Sequence, residues 1–349
     1  MRFYKNQHKY YCGIDLHSSK MYVCIVDSAG KTLLHRNMKA SPEAFLQAVS
    51  RYRGELVVAV ESMFCWYWLA DVCAREGIEF VLGHALYMKA IHGGKAKNDR
   101  IDSEKIAGLV RGGMLPQAYV YPREMRATRD LMRRRLFFVQ KRAELLGHVG
   151  MTHQQYNLPV PSNKLTYAAN REKYDRPLGD DSAKRSIEAD LVMIEHYTKE
   201  IRRLDDFIEK ATKKKPFAAL QMSLLQTVGG IGEVLSQTML YEIHDINRFP
   251  TVQQFSSYAR LIKPKKTSAG KSAGGGGGKI GNAHLKWAFS EAATLYLRNS
   301  ERGKVYQKRL QRKHSKARTM SILVHKLGRA VYFMLKNNAP FDEDKFLKE

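Results

Sequence analysis

No apolar run in this sequence approaches the ~18 residues that a membrane-spanning helix needs. The amino-terminal residues carry no short apolar core of the kind that marks a secretory leader. Cysteine is scarce: Cys12, Cys24, Cys65 and Cys73 all fall in the first quarter, without a C-x-x-C pair or a histidine at zinc-ligand spacing. That pattern excludes a zinc module and a disulfide framework and reads as reduced core residues. Acids are outnumbered as well. With 34 Asp and Glu against 59 Lys and Arg, the formal net charge is +25, beyond what solubility requires, and it points to a polyanionic partner. Nucleic acid comes first and an anionic membrane surface second. The expectation is a soluble, cytoplasmic, globular protein, long enough at 349 residues for more than one domain.

The first domain is expected over residues 9–115. Two β-rich runs, from Tyr10 and from Met21, meet a turn at Asp27 to Gly30 and continue into a third strand from Lys31 to Met38. Asp15 lies inside the first run, where an unpaired charge is costly; a solvent-facing position on an alternating strand is the ordinary explanation. Ser41-Pro42-Glu43 carries the cap, first-position proline and acidic first turn of a helix start. A nearly continuous apolar strand follows from Glu55 to Val60 and is closed by Glu61. Carboxyl ends of such strands are where open α/β sheets gather functional groups. An aromatic helix, a strand from Ile78 to Leu82 and a helix from His84 to His92 come next. Asn98 then caps a helix whose first turn holds Asp99 and Asp102 on one face. Acids there ordinarily complement the helix dipole, and two so close repel unless a cation lies between them.

Residues 118–215 form the middle. A long helix from Arg123 to about Gly150 carries Arg126, Arg129, Arg133, Arg134, Arg135, Lys141 and Arg142 with few acids, suited to following a phosphate backbone. Residues 157–182 hold turn formers without a sustained period and read as a loop. Ile187, Leu191, Ile194, Thr198, Ile201, Asp205 and Ile208 then recur in a heptad-like, coiled-coil-like pattern. That seam can close on the arginine-rich helix of its own chain or on another protomer.

The last domain, 216–349, is mainly helical. Leu224 to Leu235 reads as a helix-hairpin-helix whose glycines, Gly230 and Gly232 among them, let backbone N–H groups meet a phosphate; an ordinary tight helix turn is the alternative. Lys263 to Ala273 contains Gly270-Lys271-Ser272. A phosphate-binding P-loop needs glycine at position 265, which is lysine, and a preceding apolar strand, so nucleotide hydrolysis is excluded. What remains is hydroxyls among the cations Lys263, Lys265, Lys266, Lys271 and Lys279. Such a setting can hold a phosphodiester and stabilise an ionised serine, although a bare Lys/Gly/Ser loop has the same composition.

The order β-β-β-α-β-α-β-α, with Asp15 on the first strand, Glu61 ending the fourth and Asp99 and Asp102 opening the last helix, resembles the ribonuclease-H-like fold of the RuvC type. The later stretches resemble the DEDD transposases: the helical pair, the hairpin glycines, Ser268-Ala269-Gly270-Lys271, Gly281-Asn282 with Leu285, Trp287, Ala288 and Phe289, His325-Lys326-Leu327 and Pro340-Phe341-Asp342. These are insertion-sequence recombinases related to the Piv DNA invertase, some guided by a bridge RNA. The resemblance runs from about residue 11 to 342. It implies that Asp15, Glu61, Asp99 and Asp102 are catalytic acids holding Mg²⁺, with Mn²⁺ as a substitute. It implies that Ser268 is a nucleophile forming a phosphoserine link to double-stranded donor and target DNA. It also implies a noncoding guide RNA and a dimer or tetramer with shared active sites. The glycine run 274–278 departs from the family's more varied sequence, which keeps Ser272 as a second candidate nucleophile. Two other readings fit the same residues: a RuvC-class Holliday-junction or flap nuclease using water, and a non-catalytic nucleic-acid-binding module.

Overall fold

The computed structural model describes residues 2–91, 98–162, 164–174, 178–263, 267–268, 271–272 and 280–348, in two compact units, Met1–Arg123 and Glu124–Glu349. The first unit holds β1 (Tyr10–Leu16), β2 (Lys20–Asp27), β3 (Thr32–Lys39), α1 (Pro42–Val49), β4 (Leu56–Glu61), α2 (Tyr67–Arg75), β5 (Glu79–Gly83), α3 (Ala85–Ile91) and α4 (Asp99–Arg111). Its sheet runs β3-β2-β1-β4-β5. β1 pairs antiparallel with β2 and parallel with β4, with Ile14 opposite Val60. Asp15 and Glu61 are therefore the next residues of two neighbouring strands, at their carboxyl ends.

Strand alternation divides the apolar residues between two layers. Cys12, Ile14, Leu16, Val58 and Val60 pack with Phe45 and Val49 of α1 and Leu69 and Cys73 of α2. Tyr11, Val57 and Ala59 face the other way, against Ile106, Ala107, Leu109 and Val110 of α4. Gly13 shares that second face. A Cβ there would fall well inside 3.0 Å of the Ala107 amide and the Ser103 carbonyl, so α4 lies directly on the β1 backbone.

The second unit is mainly helical. It begins within α5 (Arg123–Gln155) and continues through α6 (Ala168–Glu172), α7 (Asp181–Lys213), α8 (Ala218–Gln226), α9 (Glu233–Ile243) and α10 (Val252–Tyr258). A two-strand ladder, β6 (Thr267–Ser268) with β7 (Lys271–Ser272), is followed by α11 (Ala283–Asn299), α12 (Glu301–Gln311), α13 (Lys316–Asn337) and α14 (Glu343–Leu347). The heptad-like seam closes within the chain: Ile187, Leu191 and Ile194 of α7 are buried with Val149 of α5, against Leu145 and Leu146. Asp205 occupies a seam position because Arg135 of α5 donates to it through Nε at 2.8 Å and Nη2 at 3.2 Å. Within 157–182, read as a loop from its composition, the described residues include secondary structure and core positions. The stretch contains α6, and Leu165 and Leu178 sink into the same cluster.

Candidate active site

Asp15 and Asp99 converge at the carboxyl end of β1. Asp15 shares the α4-facing side of β1 with Tyr11 and Gly13, and Glu61 follows Val57 and Ala59 on that side of β4. The close seat of α4 on Gly13 brings the helix start over the strand ends. Asn98 fixes that start by accepting from the Ile101 amide at 2.8 Å. His35 of β3 holds it from the side, with Nε2 3.1 Å from the Arg100 carbonyl and 3.3 Å from Ser103 Oγ.

His17, one residue past β1, lies between two of the acids. Its Nε2 is 3.5 Å from Asp15 Oδ2 and 3.6 Å from Asp99 Oδ1, and these three side chains offer ligand atoms all within 4.8 Å of one another. Asp102 faces Lys105 one turn on, at 3.6 Å. Burial pushes the Asp15 carboxyl above its ordinary range; His17 opposes this, and the charges of Asp99 and Asp102 push it further up. Two further acids thus bear on Asp15 here, a repulsion that a bound cation relieves. Sequence reasoning passed over His17. The available signal was its place two residues after Asp15, which on an extended chain returns a side chain to the same side.

In the second unit, the backbone at Ser268 pairs with Lys271, and Thr267 pairs with Ser272. The predicted phosphate contacts Lys265, Lys266 and Lys279 lie outside the described residues, as do the side chains of Ser268, Lys271 and Ser272; Lys263 is exposed. Chain entry and exit around this segment are held together. Arg260 Nε donates to the Ile280 carbonyl at 3.0 Å, and the Asn282 amide donates to the Tyr258 carbonyl at 2.6 Å. Gly281 sits at φ 93°, where its Cα also approaches the Tyr258 carbonyl too closely for a side chain.

Asn282 does two further things. Its Oδ1 caps α11, accepting from the His284 and Leu285 amides at 2.9 and 3.0 Å, and its Nδ2 donates to Glu242 Oε2 at 2.7 Å. Glu242 is only 1% exposed. It is held by Arg129 at 2.9 Å and by Arg133, whose Nε and Nη2 donate at 2.6 and 3.0 Å. Burial alone would raise the Glu242 carboxyl; the Arg133 hydrogen bonds, the charges of Arg129 and Arg133 and the Asn282 amide outweigh it and hold the group at about 2.

This changes the reading of the basic helix. Of the seven cations expected to face a phosphate backbone, Arg129 and Arg133 neutralise Glu242, Arg135 pairs with Asp205, Arg142 donates to Thr198 and Arg126 is buried. Partners far away in sequence, Glu242 and Asp205 among them, hold these side chains, which local charge counting does not register. Arg134 is exposed and Lys141 partly so, lying over the Phe137 ring at 5.3 and 5.6 Å from its centroid, with Lys141 also pairing with Glu144. The expected hairpin glycines likewise divide. A Cβ on Gly230 would lie 2.5 Å from the Tyr296 amide, so that glycine serves the approach of α11, whereas Gly232 opens α9 and a Cβ there would meet nothing within 4 Å among the described residues.

Residues 12–155 match the transposase family DEDD_Tnp_IS110, and residues 222–308 match the family described as Transposase IS116/IS110/IS902. All four acids fall in the first match and Ser268 in the second. No curated protein matches the chain.

Proposed function

We propose, on the premise that this chain is an insertion-sequence DNA transposase carrying two IS110-type transposase domains, that it cuts and rejoins DNA through a phosphoserine intermediate. The observation that carries the reading is the meeting of Asp15 with Asp99 at the end of the parallel β1–β4 pair, next in register to Glu61 and one helical turn before Asp102, inside the first of those domains. Its oxygen-rich donor set suits a hard divalent cation, Mg²⁺ in this reading. Asp15, Glu61, Asp99 and Asp102 would hold it, in a RuvC-type domain. When bound, such a cation offsets charge on the phosphate oxygens during phosphoryl transfer.

Ser268 supplies the covalent step. Its Oγ forms a bond to phosphorus as one sugar P–O bond breaks, and the proton that the serine gives up balances the one that the departing sugar oxygen takes up. Rejoining is the reverse exchange, with the hydroxyl of a different strand end. Lys263, Lys265, Lys266, Lys271 and Lys279 neutralise the phosphodiester. Arg134 and Lys141 of α5 and the hairpin at Gly232 hold the nucleic acids, a noncoding guide RNA among them. Conservative exchange between two duplexes requires a dimer or tetramer working in the cytoplasm.

Trapping tests the covalent step. Labelled element-end DNA incubated with the protein and then denatured should leave an adduct that disappears in Ser268→Ala and persists in Ser272→Ala. Cleavage without any adduct favours the nuclease reading, in which water attacks. DNA binding that survives with no cleavage under any metal condition favours a non-catalytic binder.

A further inference from the structure

We propose that His17 is a nitrogen ligand of the divalent-metal centre and biases that centre toward Mn²⁺ over Mg²⁺. The inference rests on the metal reading of the acids given above and adds to it a residue of a different chemical kind.

The geometry carries it. His17 Nε2 stands 3.5 Å from Asp15 Oδ2 and 3.6 Å from Asp99 Oδ1. Charge-assisted hydrogen bonds close to about 2.7–2.9 Å, so at these separations His17 makes long ion pairs with both carboxylates and is committed to neither. The same distances suit ligands of a common ion. With metal–ligand bonds of about 2.1–2.2 Å, neighbouring donors sit about 3 Å apart and opposite ones about 4.3 Å apart. The ligand atoms of Asp15, His17 and Asp99 lie within 4.8 Å of one another, close to that range. The site is reachable as well: the side chains of His17 and Asp99 are half or more exposed, while Asp15 is held at 16% against the sheet.

The backbone explains why the imidazole is there. The His17 amide donates to the Lys20 carbonyl at 2.9 Å and closes the turn between β1 and β2. That fixes the residue at the strand end, two positions past Asp15. Asp99 arrives from the opposite direction on the first turn of α4, whose height over β1 is set by contact with Gly13.

Nitrogen changes which ion is held best. Mg²⁺ prefers oxygen donors and retains its waters, whereas imidazole suits transition-metal ions. Mn²⁺ takes carboxylate oxygens readily and accepts an imidazole far better than Mg²⁺ does. A centre of acids alone would discriminate less between the two ions.

The test uses the full-length protein without DNA. Mn²⁺ and Mg²⁺ affinities are measured by calorimetry, and pulsed electron paramagnetic resonance of bound Mn²⁺ reads nitrogen coupling directly. The wild type should show ¹⁴N coupling, absent in His17→Ala and in His17→Gln, and Asp15→Asn should abolish Mn²⁺ binding at this centre. His17→Ala should weaken Mn²⁺ by about tenfold or more, the scale of losing a group that supports a metal, and Mg²⁺ by less than about threefold. His17→Gln keeps a polar side chain of similar size and serves if the alanine variant does not fold. Asp15-dependent Mn²⁺ binding without nitrogen coupling, or coupling that persists in His17→Gln, overturns the role of His17 and leaves the acidic centre standing. Absence of any Asp15-dependent metal binding overturns both.

Discussion

At the scale of single residues, the site depends on a glycine that carries no chemistry. Gly13 lets α4 rest on β1, and a methyl group there collides with helix backbone, which cannot swing aside as a side chain can. Gly13→Ala should lower unfolding stability by about 3 kcal/mol or more, the upper end of overpacking effects, and weaken metal binding even though no ligand is altered. Denaturant titration and calorimetry on the same variant check both. Glu242 gives a second residue-scale prediction. Its carboxyl, at about 2 in the folded protein against 4.5 ordinarily, contributes stability that is fully present above pH 4.5 and is lost as pH falls toward 2. The shift corresponds to about 3 kcal/mol in order of magnitude. Stability measured between pH 5 and 2 should fall less steeply in Glu242→Gln, which starts from a lower value because two partly buried guanidinium groups lose their charge partner. Neither residue stood out in the sequence. Gly13 matters through a helix near the far end of its unit, and Glu242 through arginines on α5.

Elements were the most legible scale. Apolar runs marked β1, β2, β3, β4 and β5 to within a few residues, because alternation and continuous burial leave distinct patterns. The Asn98 cap located α4 and with it Asp99 and Asp102. The heptad-like spacing located α7 but left its partner open, since an apolar seam states only that something covers it. What covers it here is α5 of the same chain. The charge on α5 misled for a related reason: composition shows how many cations a helix carries and not which acids fold against them. Within α5, the salt dependence of DNA binding is therefore expected to rest on Arg134 and Lys141. Replacing Arg134 and Lys141 with glutamine should reduce the slope of log affinity for DNA against log salt by about one to two, with little loss of stability. Arg133→Gln should instead destabilise the protein, because the buried Glu242 carboxylate then keeps only Arg129 and Asn282. A double substitution that leaves the slope unchanged removes α5 as a backbone contact.

Across the whole molecule, a net charge of +25 makes every nucleic-acid affinity depend strongly on ionic strength, so comparisons between variants hold only at fixed salt. Such a surface also retains polyanions nonspecifically. The guide-RNA reading therefore predicts something sharper than co-purifying nucleic acid: after a high-salt wash, sequencing should return one defined noncoding species. A heterogeneous mixture would count against it. The two transposase matches fall where the acids and the serine–lysine stretch stand in the sequence, while the histidine among the acids was not legible there, being a matter of where a turn ends. One consequence follows from the way α4 lies on β1. Asp15 and Asp99 belong to opposite ends of the first unit's sequence, so they meet only after β1, β4 and α4 have found one another, a nonlocal and slow class of contact. An ion that requires both acids binds the folded chain and ignores the unfolded one, so mass action makes metal concentration a direct control on how much of this unit is folded.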